Sequence, residues 1–587
     1  MNGETPKRSA VKPQDCWDLT PLYTNPEDWE KDFANLKDEL PRLELFSGKL
    51  IDADTILSCF DALSAFERKL EYIYVWVSLK SSEDLSVSDN LNRSKRVESL
   101  VAQFSETTAY IEPELVKLAD DFLLSLIDDE RFAEYKMTIK QFLNLKPHVL
   151  SDSEERLLAK AELLWNDPYT IFSSFDNVDA QFEMVDDGTG QFLNVTHGNY
   201  SLFLEHRDRD IRQKAFNSIY GEYRDHIHVL ADVLHSLVKQ HVFLCEVRNY
   251  ASPLVSALSN NQISETVYRN LISQMHKQLP RFYEYIEKRK QLLGLDKLAM
   301  WDLRVSLNKV NFKFSYEEAV DLCCAAAAPL GEDYVTIMRN GLLNGWVDRY
   351  ENKGKRSGGF SSGCYDSYPY ILMNYTGNLN DVFTLMHEAG HSMHSYLANK
   401  NQPYSLADYP IFTAEIASTV NERLLVNHLL EKFEGEEREA VLHYEIDAIR
   451  ATFFRQTMFA EFELLIHEAV QEGVPLTKDF LCENYLRLNK LYYGENVEDG
   501  DLIQYEWARI PHFYYNFYVY QYATGIAAAY NFADRLLNGE TEAYLNLLKS
   551  GGRDFPLVLL REAGVDLEAA NFYEPIMARF EELVREL

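Results

Sequence analysis

Apolar residues recur at helical spacing through most of this chain, and that period limits what it can fold into. DADTILSCFDALSAFERKLEYIYVWVSL (52–79) opens on Asp52 and then repeats apolar side chains every three or four positions. SEERLLAKAELL (153–164), DVLHSLVKQHVFL (232–244) and TVYRNLISQMHKQLPRFYEYIEKRKQLLGL (266–295) follow the same period. Strand signals are confined to three places. In SFDNVDAQFEMVDDGTGQFLNVTHGNY (174–200), the turn residues DDGTG between alternating runs predict a hairpin. VNFKFS (310–315) is a second short strand candidate, and YILMNY (370–375) a third. The expected fold is mainly α, with no fixed-period repeat and no low-complexity tract.

A chain of 587 residues exceeds the size at which one core stops growing, so two or more lobes are expected. The pattern places a boundary near residue 200, between a helical lobe (1–200) and a larger, mostly helical lobe (201–587). The formal net charge of −34 argues against binding nucleic acid or an anionic membrane. The opening MNGETPKRSAVKPQDCW lacks an apolar core of the secretory kind, and no run of 18 apolar residues occurs. Seven cysteines without CxxC spacing fit reduced thiols in a cytoplasmic protein.

LMHEAGHSMHSY (385–396) carries the chemistry. His387 and His391 are four residues apart, so on a helix both imidazoles reach one ion. Glu388 sits about 100° round the helix from His387 and would flank the ion without ligating it. Asn378 and Asp381 suit the N-cap and N3 positions of that helix. Another HE pair, His467-Glu468, lacks a second histidine and reads as ordinary helix surface. A catalytic zinc needs a third protein ligand. His394 shares the face, but seven residues rise about 10.5 Å, too far for bonds of about 2 Å to one ion. His394 is therefore expected to pack or to support a ligand. TAEIASTVNERLLVNHLLEKF (413–433) reads as a helix capped by Thr413, with Glu415 in its first turn and Glu422 two turns on. Glu415 could return to the metal face and Glu422 could bond a ligand histidine. Alternatively, a glutamate in a first turn merely suits the helix dipole.

His512, Tyr515, Tyr518 and Tyr522 follow a spacing that clusters them on one side of a helix. Tyrosine hydroxyls can donate to a developing oxyanion; equally, such a stripe can be core. YPYILMNY (368–375) reads either as a buried strand or as an exposed edge that pairs with an extended peptide.

Four stretches resemble the M3 zinc metallopeptidases, and among them the oligoendopeptidase F branch. CWDLTPLY (16–23) looks like that branch's opening, and residues 354–396 resemble its catalytic core. PIFTAEIASTVNE (410–422) resembles its third-ligand helix, and ARIPHFYYNFYVYQYATG (508–525) its tyrosine-rich segment. The resemblance implies a two-lobed helical zincin-type metallopeptidase, with a small β-sheet region beside the HExxH helix and a deep central channel. It implies one Zn2+ per chain on His387, His391 and Glu415, with Glu388 as general base. Short peptides would be the substrates, cut internally in the cytoplasm. His512 matches the family's histidine by position. Tyr515 and Tyr522 match its transition-state tyrosines, with Tyr518 as competitor, although IPHFYYNFYVYQY lacks the glycines seen in the thimet-like branch.

Two other functions use the same residues. A dipeptidyl carboxypeptidase would share the zinc site and need a cation, such as Arg509, for the substrate's terminal carboxylate. A helical metal-binding scaffold would need no Glu388. The sequence leaves the oligomeric state unspecified.

Overall fold

The computed structural model describes residues 5–162, 165–305, 307, 310–498 and 500–587. These residues are mainly helical, and their strands form two small sheets. The chain divides into two compact units, each assembled from three segments. The first comprises Met1–Pro147, Asn311–Glu431 and Ala529–Asp566; the second comprises His148–Val310, Lys432–Ala528 and Leu567–Leu587. Position 200, where the pattern suggests a boundary, lies within the second unit.

In the first unit, helix α1 (Ala53–Glu83) begins where Asp52 accepts a hydrogen bond from the Thr55 amide. Trp76 and Leu70 from α1 join Trp17, Trp29, Tyr370 and Leu372 in one buried cluster. In the second unit, α2 (Glu265–Leu292) starts at Ser264 and carries Pro280 internally. Its Phe282 stacks on Phe454 with ring centroids 4.3 Å apart. The helix expected over 153–164 is present as Asp152–Ala161; its last two positions, Leu163 and Leu164, lie outside the described residues.

The expected hairpin forms from β1 (Met184–Asp186) and β2 (Phe192–Asn194), antiparallel and closed through Gly188 and Gly190 at positive φ. A three-stranded sheet in the first unit has the order β3-β5-β4, from Val347–Asp348 (β3), Phe360–Ser362 (β4) and Tyr370–Leu372 (β5). Strand β3 is too short to leave a period in the sequence. Residues 310–315 do not form a strand; the amide of Phe314 bonds the Gly377 carbonyl alone (2.8 Å). The structure also corrects the edge reading of YPYILMNY. Strand β5 pairs on both sides and its three residues are fully buried, as expected of a continuous apolar run. The outer strands are β3 and β4, and the half-buried β4 packs on the helix that carries HExxH.

Candidate metal centre

Helix α3 (Leu379–Asn401) is fixed nine residues before its first histidine. Asn378 accepts from the Asp381 amide (2.9 Å), and Asp381 Oδ2 accepts from the amides of Thr376 (2.6 Å) and Gly377 (2.7 Å). Val382, Leu385, Met386, Ala389 and Met393 turn into the core. That leaves His387 and His391 half-buried on the other side. Strand β4 is tied to α3 by a hydrogen bond between the Ser361 and Ser392 hydroxyls (2.8 Å).

Helix α4 (Ile411–Lys432) starts two residues earlier than the pattern suggests, and Thr413 does not cap it. The Thr413 hydroxyl turns back onto the Pro410 carbonyl (3.0 Å). The approach of α4 to α3 depends on Gly390. A Cβ there would lie 2.7 Å from Ser418 Cα and 2.8 Å from the Ala417 carbonyl oxygen. An isolated glycine inside a helix is a sign of such close packing, and Gly390 is the residue that motif reading passed over.

This packing brings three donor atoms together. His387 Nε2 and His391 Nε2 are 3.1 Å apart, and Glu415 Oε2 lies 3.6 and 3.7 Å from them. Tetrahedral bonds of 2.0–2.1 Å place ligand atoms about 3.3 Å apart, so the spacing suits a zinc-sized ion. The tautomers suit it as well. His387 Nδ1 bonds Glu422 Oε1, and His391 bonds the Ala414 backbone, so both Nε2 atoms face the common point. Two ring nitrogens and a carboxylate oxygen converge there, an arrangement that needs a proton or a metal cation between them. Burial works against charge on His387, but Glu422, with Glu388 and Glu415, outweighs it and raises the pKa to about 9. Burial and then the charge of His387 lower His391 to about 3. The same field that draws a proton to His387 favours a divalent cation. His387, His391 and Glu415 are the one such metal-competent group among the described residues.

Glu388 is only 8% exposed. Burial raises its pKa, His387 opposes this and Glu415 adds to it, while the Ser361 backbone amide of β4 donates to its carboxylate. His394 is buried and stacks on Tyr409 at 3.6 Å, apart from the donor group.

The tyrosine segment belongs to the second unit and is not one helix, which corrects the helical reading. A 3-10 turn (Pro511–Tyr514) is followed by Asn516 and Phe517 at φ of 44° and 58°, and a helix resumes at Tyr520. A left-handed φ is a true outlier for a bulky residue and costs on the order of 1–3 kcal/mol. The Phe517 amide donates to Glu463 (2.6 Å), and its ring packs on His467 and Tyr268. The turn still gathers the four rings. His512 lies 5.7, 6.1 and 5.7 Å from Tyr515, Tyr518 and Tyr522, and the Tyr522 hydroxyl is 3.3 Å from His512 Nε2. Tyr515 is exposed, with its hydroxyl 3.3 Å from that of Tyr169.

His467 is not ordinary helix surface. It lies in α5 (Arg455–Gln471), is 1% exposed, and accepts at Nε2 from His241 Nδ1 (3.0 Å) while its own Nδ1–H donates to the Glu463 carbonyl. Burial holds both imidazoles neutral, His241 near 3 and His467 near 4. The adjacent Glu468 does face solvent, pairing with Arg269.

A helical fold with an HExxH helix packed against a glutamate-bearing helix defines a metallopeptidase. The profile described as "Peptidase family M3" matches residues 202–579, and that of "Oligopeptidase F" matches 114–182. The chain is 41% identical over 591 residues to oligopeptidase PepF of Bacillus subtilis (strain 168), covering all of this chain and 88% of that protein. It is 40% identical to group B oligopeptidase PepB of Streptococcus agalactiae, over 99% of this chain and 98% of the relative. A crystal structure from Chlamydophila abortus matches with a TM-score of 0.93 at 38% identity, covering 100% of this chain and 99% of that one. The oligoendopeptidase-F structure from Enterococcus faecium matches with a TM-score of 0.74 at 34% identity, over 96% and 98% of the two chains. The chain belongs to peptidase family M3, in its oligoendopeptidase F branch, and is a metalloendopeptidase. No helix among the described residues is long and apolar enough to cross a membrane.

Proposed function

We propose that this chain is a zinc-dependent endopeptidase that hydrolyses internal bonds of short oligopeptides in the cytoplasm. The observation that carries the reading is the convergence of His387 Nε2, His391 Nε2 and Glu415 Oε2 to within 3.1–3.7 Å of one another. These residues would hold one zinc ion, and Glu422 would keep His387 in the ligating tautomer. When bound, zinc supplies a Lewis acid that acidifies water and polarises a carbonyl. Glu388 takes a proton from the attacking water and returns it to the leaving amine. Its buried setting, held by the Ser361 amide, keeps the carboxylate oriented and favours its protonated form once the proton arrives. A hydroxyl of Tyr515, Tyr518 or Tyr522, with His512, would donate to the oxyanion. The close contact of the four rings supports treating them as one group.

Digestion of a peptide library, read by mass spectrometry with and without chelator, tests the reading. Internal cuts that vanish with chelator and return with zinc are expected. Peptides blocked at both ends separate this from a dipeptidyl carboxypeptidase, which would leave them whole. No metal-dependent cleavage of any peptide would overturn the proposal.

A further inference from the structure

Four guanidinium groups, those of Arg304, Arg450, Arg455 and Arg509, wall a cavity of about 240 Å³ in the second unit. A single carboxylate, Glu506, lines it with them. Every residue of this wall belongs to the second unit, so the cavity is complete within it.

The contacts allow the charges to be counted. Glu506 Oε1 accepts from Arg455 (2.7 Å) and Tyr220 (2.9 Å), and its Oε2 from Tyr485 (2.5 Å). Burial opposes charge on Glu506, but Arg455 and the Tyr485 hydroxyl outweigh it and lower the pKa. Glu506 therefore offsets Arg455, and Asp447 offsets Arg450 (3.0 Å). Arg304 and Arg509 have no carboxylate partner among the described residues. Arg304 bonds the Ser201 hydroxyl (2.9 Å), and Arg509 bonds the Tyr220 hydroxyl (3.4 Å) and lies over the Tyr200 and Tyr220 rings. Arg509 Nε is buried without an acceptor. Glu205 feels the charge of Arg304, but no ion pair joins them, and burial raises the Glu205 pKa. His512, which also lines the cavity, adds no charge, because burial and Arg455 lower its pKa. Two positive charges are left over. Their strain shows at Arg304, whose pKa is lowered by burial and then by Arg450 and Arg455.

Two uncompensated guanidinium groups across a small cavity call for one doubly charged anion. The volume falls below the roughly 300–1,000 Å³ of sites for drug-sized molecules, which leaves room for an inorganic ion and not for a nucleotide. Guanidinium forks match the oxygen edges of sulfate and phosphate. We propose that this cavity binds one small divalent oxyanion, of the sulfate and hydrogen phosphate class, between Arg304 and Arg509. The ion is a ligand of the second unit in its own right and needs no peptide. It would stabilise that unit by linkage, since the unfolded chain does not gather these arginines.

The test uses zinc-loaded full-length protein, with thermal melting and calorimetric titration. The probes are sulfate, inorganic phosphate, chloride and acetate, compared at one ionic strength. Matching matters because any salt screens the self-repulsion of a chain of net charge −34. Sulfate and phosphate are expected to bind at one ion per chain and raise the melting temperature. Chloride and acetate should bind about tenfold more weakly or worse, having one charge to offer two charged hydrogen-bond donors. Arg304→Gln, at an exposed position, should weaken sulfate binding by about tenfold or more, and Arg304→Lys should restore part of it. Melting in chloride checks that both variants fold. Equal effects of all four anions would overturn the site. Acetate binding as tightly as sulfate would overturn the choice of a divalent ion. Sulfate binding that survives Arg304→Gln would place the ion elsewhere, at the metal included, and would overturn the proposal.

Discussion

Gly390 of α3 faces Ser418 of α4 so closely that one added methyl group would lie 2.7 Å from the Ser418 Cα. The obstacle is backbone, not a flexible side chain, so the helices themselves must separate. Glu415 lies one turn before Ser418 on α4 and would be carried away from His387 and His391.

Gly390→Ala is therefore expected to weaken zinc binding by about tenfold or more, in the range seen when ligand supports are lost. It should also cost about 1–3 kcal/mol of stability through overpacking. Chelator competition and thermal melting with and without zinc measure the two effects. Unchanged zinc affinity would show that α4 does not need this approach.

Glu422→Ala removes the acceptor that bonds His387 Nδ1 without touching a ligand atom. Zinc affinity should fall about 10- to 100-fold, with a smaller loss for Glu422→Gln. Titration against a zinc-selective chelator reads this directly, and an affinity equal to wild type would reject a positioning role for Glu422.

Glu388→Gln keeps size and burial but cannot accept the proton of the attacking water. Zinc content should stay at one ion per chain while kcat falls by about 10²- to 10⁴-fold, the worth of a general base. Elemental analysis and steady-state kinetics on one peptide separate the two properties. A fully active variant would exclude the mechanism.

Glu463 gives a pH dependence of stability away from the metal. Burial raises its pKa to about 8 from 4.5, against the opposing hydrogen bond from the Phe517 amide. Between those values the folded protein holds a proton that the unfolded chain has released. Its contribution to stability is thus fully present below pH 4.5 and is lost as pH rises towards 8. Glu463→Gln should gain in melting temperature relative to wild type as pH increases across this window. A difference between the two that does not vary from pH 5 to 8 would contradict the raised pKa.

What was legible in the sequence is local. The Asn378–Asp381 cap and the four-residue spacing of His387 and His391 follow from helix periodicity and neighbours in the chain; Glu415 could be placed near the start of its helix, but α4 begins at Ile411 and carries it past the first turn. Glu422 could be named as a histidine partner because it lies two turns from Glu415 on the same helix. The errors came where distant segments meet or where the backbone leaves its usual regions. His467 looked superficial because its partner, His241, is 226 residues away. The tyrosine cluster was foreseen by membership but not by geometry, because Asn516 and Phe517 take a conformation that sequence marks only when a glycine supplies it.

That last turn makes the spacing of the four rings a matter of counting. A glycine hinge can slide by a residue, since any neighbour may take up the slack. Here the left-handed pair must fall on Asn516, which tolerates it, and on Phe517, whose amide and ring are both engaged by α5. Losing or gaining one residue between His512 and Tyr522 would put a tyrosine in the left-handed position and detach the phenylalanine. The segment should accept changes of side chain more readily than changes of length, because its residue count is what holds the four rings together.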